Sequence, residues 1–229
     1  MLNSQDIAGY AGMIDHTLLK PFITNEDWKV FCEEAIKYGF KTVAINNAGI
    51  SICKNYLSQS DVLVDAAVSF PLGQCTLETK IFETRDAIKK GAGEVDYVVN
   101  IVELKNGNWN YIEKEMASIV AVCREHGVTS KVIFETCYLT DDEKRNLCDV
   151  ALKVQPDFVK TSTGFGTGGA TIDDVRLMKS SVGDSIKVKA SGGIRDAKTF
   201  LAMIEAGASR IGTSSGIKII EEFKANLEE

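Results

Sequence analysis

Histidine is scarce in this chain: His16 and His126 are the two that occur in 229 residues. No histidine, cysteine and carboxylate group has metal-ligand spacing, so no metal and no other cofactor is expected. The six cysteines, Cys32, Cys53, Cys75, Cys123, Cys137 and Cys148, form no C-x-x-C pair. A chain of this size needs no disulfide framework, so reduced thiols and a cytoplasmic location are expected. No apolar run approaches the roughly 18 residues of a membrane span. The opening residues, Met1 to Asp6, lack the basic and apolar stretches of a secretory signal. Basic residues are in the minority, 26 against 32 acidic ones, and the net charge is −6. An acidic surface argues against nucleic acid and against an anionic membrane as partners.

What remains is an ordinary globular composition, 45% apolar and 25% charged, with room for a sizeable core. Short β-prone runs recur at residues 13–16, 42–46, 63–68, 95–100, 131–135, 157–160, 186–190 and 209–212. Most are continuous Val/Ile/Ala/Phe runs, as parallel strands buried on both faces require. Helix-length segments lie between and after them, at 25–38, 48–57, 77–90, 111–125, 141–153, 172–180, 197–206 and 217–227, with a short extra one at 4–10. Thr24, Thr140 and Thr171 each precede first-turn acids, the mark of an N-cap. Gly39, Gly91, Gly127 and Gly207 follow helices, where a left-handed residue is wanted. No linker divides the chain. One α/β domain over residues 1–229 is expected, a (β/α)8 TIM barrel with a short extra N-terminal helix. An open doubly wound sheet usually has a glycine-rich turn after its first strand. Here that position reads Asp15-His16-Thr17-Leu18-Leu19-Lys20-Pro21.

A barrel of this type places its chemistry at the C-terminal ends of the strands. Lys160 stands there, at the end of an apolar run that breaks into Thr161-Ser162-Thr163-Gly164. Lys189 holds the same place before Ala190-Ser191-Gly192-Gly193. A lone strand lysine is more often structural than catalytic, and Lys187 reads as a solvated edge residue. Two strand-end lysines together fit imine chemistry. A second ammonium at about 4 Å costs roughly 4 kcal/mol at an effective dielectric of about 20, or about three pKa units. Charge alone allows Lys189 to activate Lys160, or the reverse. Desolvation acts in the same direction.

Asp96 sits within an apolar strand and needs a partner. It reads equally as an ion-pair anchor and as a proton shuttle. Polar residues also crowd the other strand ends: Asp15, His16, Thr17, Asn46, Asn47, Ser69, Lys131, Glu135 and Thr136. Of these Asp15, Thr17 and Lys131, with Thr163 and Gly164 of the sixth loop, are candidate substrate contacts. His16 reads as a packing or orienting residue. Ser191-Gly192-Gly193 and Gly212-Thr213-Ser214-Ser215-Gly216 follow strands seven and eight. Paired loops there can cradle a phosphate with backbone N–H groups.

Six segments carry a resemblance, in order and nearly end to end: Ile14-Asp15-His16-Thr17-Leu18-Leu19-Lys20-Pro21, Val68-Ser69-Phe70-Pro71-Leu72-Gly73, Glu94-Val95-Asp96, Lys131-Val132-Ile133-Phe134-Glu135-Thr136, Phe158-Val159-Lys160-Thr161-Ser162-Thr163-Gly164-Phe165, and Val188-Lys189-Ala190-Ser191-Gly192-Gly193-Ile194-Arg195. Together they resemble the deoxyribose-phosphate aldolase family. The resemblance implies a class I aldolase that reversibly cleaves 2-deoxy-D-ribose 5-phosphate to acetaldehyde and D-glyceraldehyde 3-phosphate, in deoxyribonucleotide catabolism. It implies Lys160 as the Schiff-base lysine, Lys189 as the lysine that perturbs it, Asp96 as the proton relay, and Gly192, Gly193, Ser214 and Ser215 as phosphate-loop positions. It also implies a small phosphorylated sugar as substrate and a homodimer. The chain departs from some members in having Phe165 where they have lysine, Asn46-Asn47 in the second loop, and no tyrosine at its end. A different phosphosugar enzyme would leave the two lysines unexplained, and a non-catalytic barrel would leave Asp96 unexplained as well.

Overall fold

A strand covered on both sides must be apolar at its outward positions, and a helix lying on it must carry one apolar stripe. Both patterns are met in the computed structural model, which describes residues 3–225. Eight parallel strands form a closed barrel in sequence order: β1 (Ile14–Leu18), β2 (Thr42–Asn46), β3 (Leu63–Val68), β4 (Glu94–Val98), β5 (Thr129–Ile133), β6 (Phe158–Lys160), β7 (Lys187–Ser191) and β8 (Arg210–Thr213). Closure is made by β8 on β1, where Ile14 pairs with Ile211 and Asp15 with Gly212.

The surrounding helices are α1 (Ser4–Ala11), α2 (Asn25–Tyr38), α3 (Ile50–Tyr56), α4 (Leu77–Lys90), α5 (Ile101–Lys105), α6 (Trp109–Glu125), α7 (Asp141–Val154), α8 (Ile172–Val182), α9 (Ala197–Glu205) and α10 (Gly216–Ala225). Thr24 and Thr140 close capping boxes with Asp27 and Glu143, and Thr171 caps α8 through the Asp174 N–H. Gly39, Gly91, Gly127 and Gly207 all take left-handed φ. The extra N-terminal helix is α1, whose Tyr10 packs edge-on against Phe200 of α9 and at 5.0 Å from Phe223 of α10.

Boundaries moved for local reasons. The strand expected over 95–100 ends at Val98, because the Asn100 side chain caps α5, a short helix the sequence reading lacked. The helix expected at 48–57 begins as one tight turn at 47–49 before α3. β5 stops at Ile133, two residues before Glu135 turns left-handed at φ 56°. The final helix, expected to reach 227, is described to Ala225, and the terminal residues that lack a tyrosine lie outside the described part.

Side chains alternate across the sheet, and the two faces differ in character. Outward positions such as Val43, Val64, Val95, Val132, Val159, Val188 and Ile211 are buried and join the apolar core beneath the helices. The inward positions are mostly polar, with Ala44, Phe158 and Gly212 among the exceptions. Asp15, Asp65, Lys131 and Lys189 come from the odd strands. The even strands supply Thr42, Glu94, Phe158 and Arg210 below and Ala44, Asp96, Lys160 and Gly212 above. A barrel interior is usually filled by branched apolar side chains in such alternating layers. Here charge fills it.

One further buried ion pair lies outside the barrel. Lys80 of α4 and Glu115 of α6 meet at 2.7 Å with both side chains fully buried. Lys80 Nζ also donates to the Val98 carbonyl at 2.7 Å, and Glu115 accepts from the Asn100 N–H at 2.9 Å. The pair therefore grips the end of the strand that carries Asp96.

Candidate active site

Two small inward residues leave space at the top of the barrel. A side chain at Gly212 would meet Lys189 Cε at 3.2 Å and Ser191 Cβ at 3.0 Å, so glycine lets Lys189 stand upright beside β8. Ala44 of β2, on the far side of β1, also lines this space. Above them lies a cavity of about 980 Å³, opening at the C-terminal strand ends. Lys160 and Asp96 reach it from below, and Phe70 forms part of its wall. The Lys160 ammonium lies 5.3 Å from the centre of the Phe70 ring.

Beneath the cavity the charges interlock. Asp96 Oδ2 accepts from Lys160 Nζ and, at 2.7 Å, from Lys189 Nζ. Lys189 also meets Asp15 at 2.5 Å and Asp65 at 2.9 Å. Lys131 lies 2.9 Å from Asp65, 2.6 Å from Glu94 and 2.9 Å from Asp96. Arg210 closes the base, 2.7 Å from Asp15 and 3.0 Å from Glu94. Asp15, Asp65 and Glu94 lie close enough together to share a metal ion, but Lys131 and Arg210 already project their cations among them.

The two lysines differ in proton affinity because their neighbours differ. Burial lowers that of Lys160; its contact with Asp96 opposes this, and the Lys189 charge pushes it down again, leaving it below the ordinary lysine range. Burial acts on Lys189 in the same sense, but three carboxylates, Asp15, Asp65 and Asp96, hold its ammonium above the ordinary range. The surroundings of the two lysines thus act in opposite directions, lowering the proton affinity of Lys160 and raising that of Lys189. Burial is the larger lowering influence on Lys160, with Lys189 second to it. Asp96, despite burial, is held well below the carboxylate range by Lys131, Lys160 and Lys189.

Of the candidate substrate contacts, Thr17, Thr163, Gly164, Gly192, Gly193 and Ser214 line the cavity. Asp15 and Lys131 do not. Both are fully buried one layer down, where ion pairs hold them away from the opening. Ser215 also stands back: its N–H donates to Thr213 Oγ1 at 2.9 Å, and its carbonyl accepts the Ile219 N–H of α10. Gly192 has φ 86°, and a side chain there would press on Gly169 Cα at 2.9 Å. Gly193 has φ 81° and open space beside it. Glu135 accepts from the Thr163 N–H at 3.1 Å and from its hydroxyl, which ties the sixth loop to β5. His16 stacks on Phe31 at 4.3 Å, and burial lowers its pKa to about 4, which keeps it a neutral packing residue. Lys187 is exposed.

The sequence reading passed over Asp65, Glu94 and Arg210, all buried members of the network. Their signal was the alternation itself. Asp65-Ala66-Ala67-Val68-Ser69, Glu94-Val95-Asp96 and Arg210-Ile211-Gly212 each place polar or small residues at every second position.

A buried lysine of lowered proton affinity, beside a carboxylate and below an open cavity at the mouth of an eight-stranded barrel, suits an enzyme that attacks carbonyl carbon. The chain belongs to the DeoC/LacD aldolase family, whose profile matches residues 10–222. The deoxyribose-phosphate aldolase of Lactobacillus acidophilus is 53% identical over 220 residues, covering 96% of this chain and 93% of that one. That of Bacteroides thetaiotaomicron is 56% identical over 214 residues, covering 93% and 90%. The solved tetrameric deoxyribose phosphate aldolase of Aeropyrum pernix superposes with a TM-score of 0.88 at 32% identity, covering 98% of this chain and all of that one (100%).

Proposed function

We propose that this barrel, as a single catalytic domain, cleaves 2-deoxy-D-ribose 5-phosphate reversibly to acetaldehyde and D-glyceraldehyde 3-phosphate through an imine on Lys160. The observation that carries the residue assignment is the shared oxygen: Lys160 and Lys189 both contact Asp96 Oδ2 at the cavity floor. Lys160, as free amine, adds to the aldehyde carbon of the open-chain sugar. Loss of water from that adduct gives a protonated imine, which serves as the electron sink. A base removes the proton of the C3 hydroxyl, the C2–C3 bond breaks, and its electron pair moves toward the iminium nitrogen as an enamine. Protonation of the enamine carbon and hydrolysis release acetaldehyde and return the lysine. Asp96, in contact with the reacting nitrogen, is the proton carrier, and Lys189 keeps it ionised.

In this reading the phosphate sits at the rim, on the backbone of Gly192, Gly193 and Ser214, which line the cavity, with Ser215 behind them just before α10. Donors at a helix start suit an anion. Binding energy spent there orients the distant carbonyl. A homodimer in the cytoplasm is part of this reading; the six cysteines are all free thiols, in keeping with a reducing compartment.

Acetaldehyde with borohydride should attach one ethyl group to Lys160, located by peptide mass. Lys160→Arg should abolish both trapping and cleavage, because arginine keeps the charge but forms no imine at neutral pH. Trapping on another lysine, or cleavage by Lys160→Arg, would overturn the assignment.

A further inference from the structure

The buried network holds four carboxylates, Asp15, Asp65, Glu94 and Asp96, and four cations, Lys131, Lys160, Lys189 and Arg210. Fully ionised, it is neutral. An uncompensated charge in such a place is costly. Yet attack on a carbonyl needs Lys160 without its proton, which leaves one negative charge in excess. The proton is most easily kept inside the network, on the carboxylate with the weakest hold on its cations.

The contacts single out one carboxylate. Asp15 has Lys189 at 2.5 Å, Arg210 at 2.7 Å and the Thr42 hydroxyl at 2.8 Å. Glu94 has Lys131 at 2.6 Å and both terminal nitrogens of Arg210. Asp96 has three lysines. Asp65 has Lys131 and Lys189, each at 2.9 Å. Glu135 also faces Lys160 from the end of β5, but its two oxygens are taken by Thr163. Lys189 touches Asp65 Oδ2 and Asp96 Oδ2 with one nitrogen, so it joins Asp65 to the oxygen that Lys160 contacts.

We propose that Asp65 is a positioning residue of the reaction, which stores the proton that Lys160 gives up and so maintains a pool of free amine inside a neutral network. The proton leaves Lys160 Nζ for Asp96 Oδ2. Lys189 gives one of its own protons to Asp65 Oδ2, and the amine lone pair so exposed takes the proton from Asp96, which returns to its ionised form while Lys189 is again an ammonium. The ammonium of Lys160 and the carboxylate of Asp65 become an amine and a carboxylic acid, with no net change in charge. The two groups lean that way already: burial, with Asp96 beside it, raises the Asp65 carboxyl to about 6, and Lys160 is lowered by its own burial.

The inference rests on Lys160 as the nucleophile, and the test separates the two claims. The rate of acetaldehyde trapping on Lys160 is followed against pH by peptide mass. In the unaltered protein the rate should stay nearly level between about pH 9 and about pH 7, above the titration of Asp65, because internal transfer holds the amine fraction constant. In Asp65→Asn the proton must go to solvent, and the rate should fall about tenfold per pH unit over the same span. Equal slopes in the two proteins overturn the proposal while leaving Lys160 in place; trapping elsewhere overturns the nucleophile instead. Should Asp65→Asn fail to fold, carbon-13 NMR of aspartate side chains in the unaltered protein decides. One buried aspartate should titrate near pH 6. None titrating between about pH 5 and about pH 7 overturns the proposal.

Discussion

Lys189→Met keeps most of the length and volume of the side chain and removes its charge. Both ammonium groups contact one oxygen of Asp96, so their nitrogens lie no more than roughly 5 to 6 Å apart, two hydrogen-bond lengths. At an effective dielectric of about 20, that repulsion amounts to about 3 kcal/mol, or about two pKa units. Its loss should raise the proton affinity of Lys160 by up to that amount. The fold should survive, because Asp15 keeps Arg210 and Thr42, and Asp65 keeps Lys131. The variant network carries one negative charge in excess, and proton uptake by Asp65 would relieve part of it, reducing the shift to about one unit. The acidic limb of the trapping rate should therefore move between about one and about two units toward alkaline pH, with a loss of roughly 10- to 100-fold at neutrality. Intact mass after timed borohydride quenches measures this directly, since modification is counted per molecule. An unmoved limb would mean that burial alone sets the proton affinity of Lys160.

Two further outcomes concern stability. His16 has a folded pKa lowered to about 4 from 6.5, so its neutral ring supports the fold fully above about pH 6.5 and that support is lost as pH falls through about 4. The loss amounts to up to about 3 kcal/mol; His16→Phe should flatten the dependence of urea midpoints on pH across that window, and an unchanged dependence would contradict the assignment. Lys80→Met leaves Glu115 buried without its cation and should cost about 3 to 5 kcal/mol, lowering Tm by roughly 10 °C. Adding Glu115→Leu should recover most of it; a double variant no better than Lys80→Met would show that the pair's worth lies in its backbone contacts.

The barrel was legible in the sequence because doubly buried parallel strands admit few polar residues, so each βα unit stands out. The exceptions marked the site: Lys160, Lys189 and Asp96 were conspicuous in apolar runs. Asp65 was equally out of place, but Leu63-Val64-Asp65-Ala66-Ala67-Val68 lacks the glycine loop that drew notice to the lysines. Depth was not legible. Asp15 and Thr17 are two positions apart on β1, yet one is sealed in the network and the other faces the cavity. That difference depends on the stagger between strands, which pairing across the barrel sets and no single segment contains. The direction of the lysine shifts was hidden for a related reason, since two of the three carboxylates around Lys189 come from β1 and β3, far away in the chain.

The alternation of polar and apolar residues across the sheet divides each strand between two tasks. In Val64-Asp65-Ala66-Ala67-Val68, the residues facing the helices maintain the fold, and those facing the axis shape the reaction chamber. A single-base change in the gene therefore falls mostly on one task or the other, depending on whether the codon is odd or even along the strand. Lineages of this barrel can drift in substrate preference through Ala44 or Ala67 while the packing under the helices stays untouched. A library restricted to those inward small positions samples new chamber shapes at little risk to expression. The same number of changes spread at random would be spent largely on the outward face.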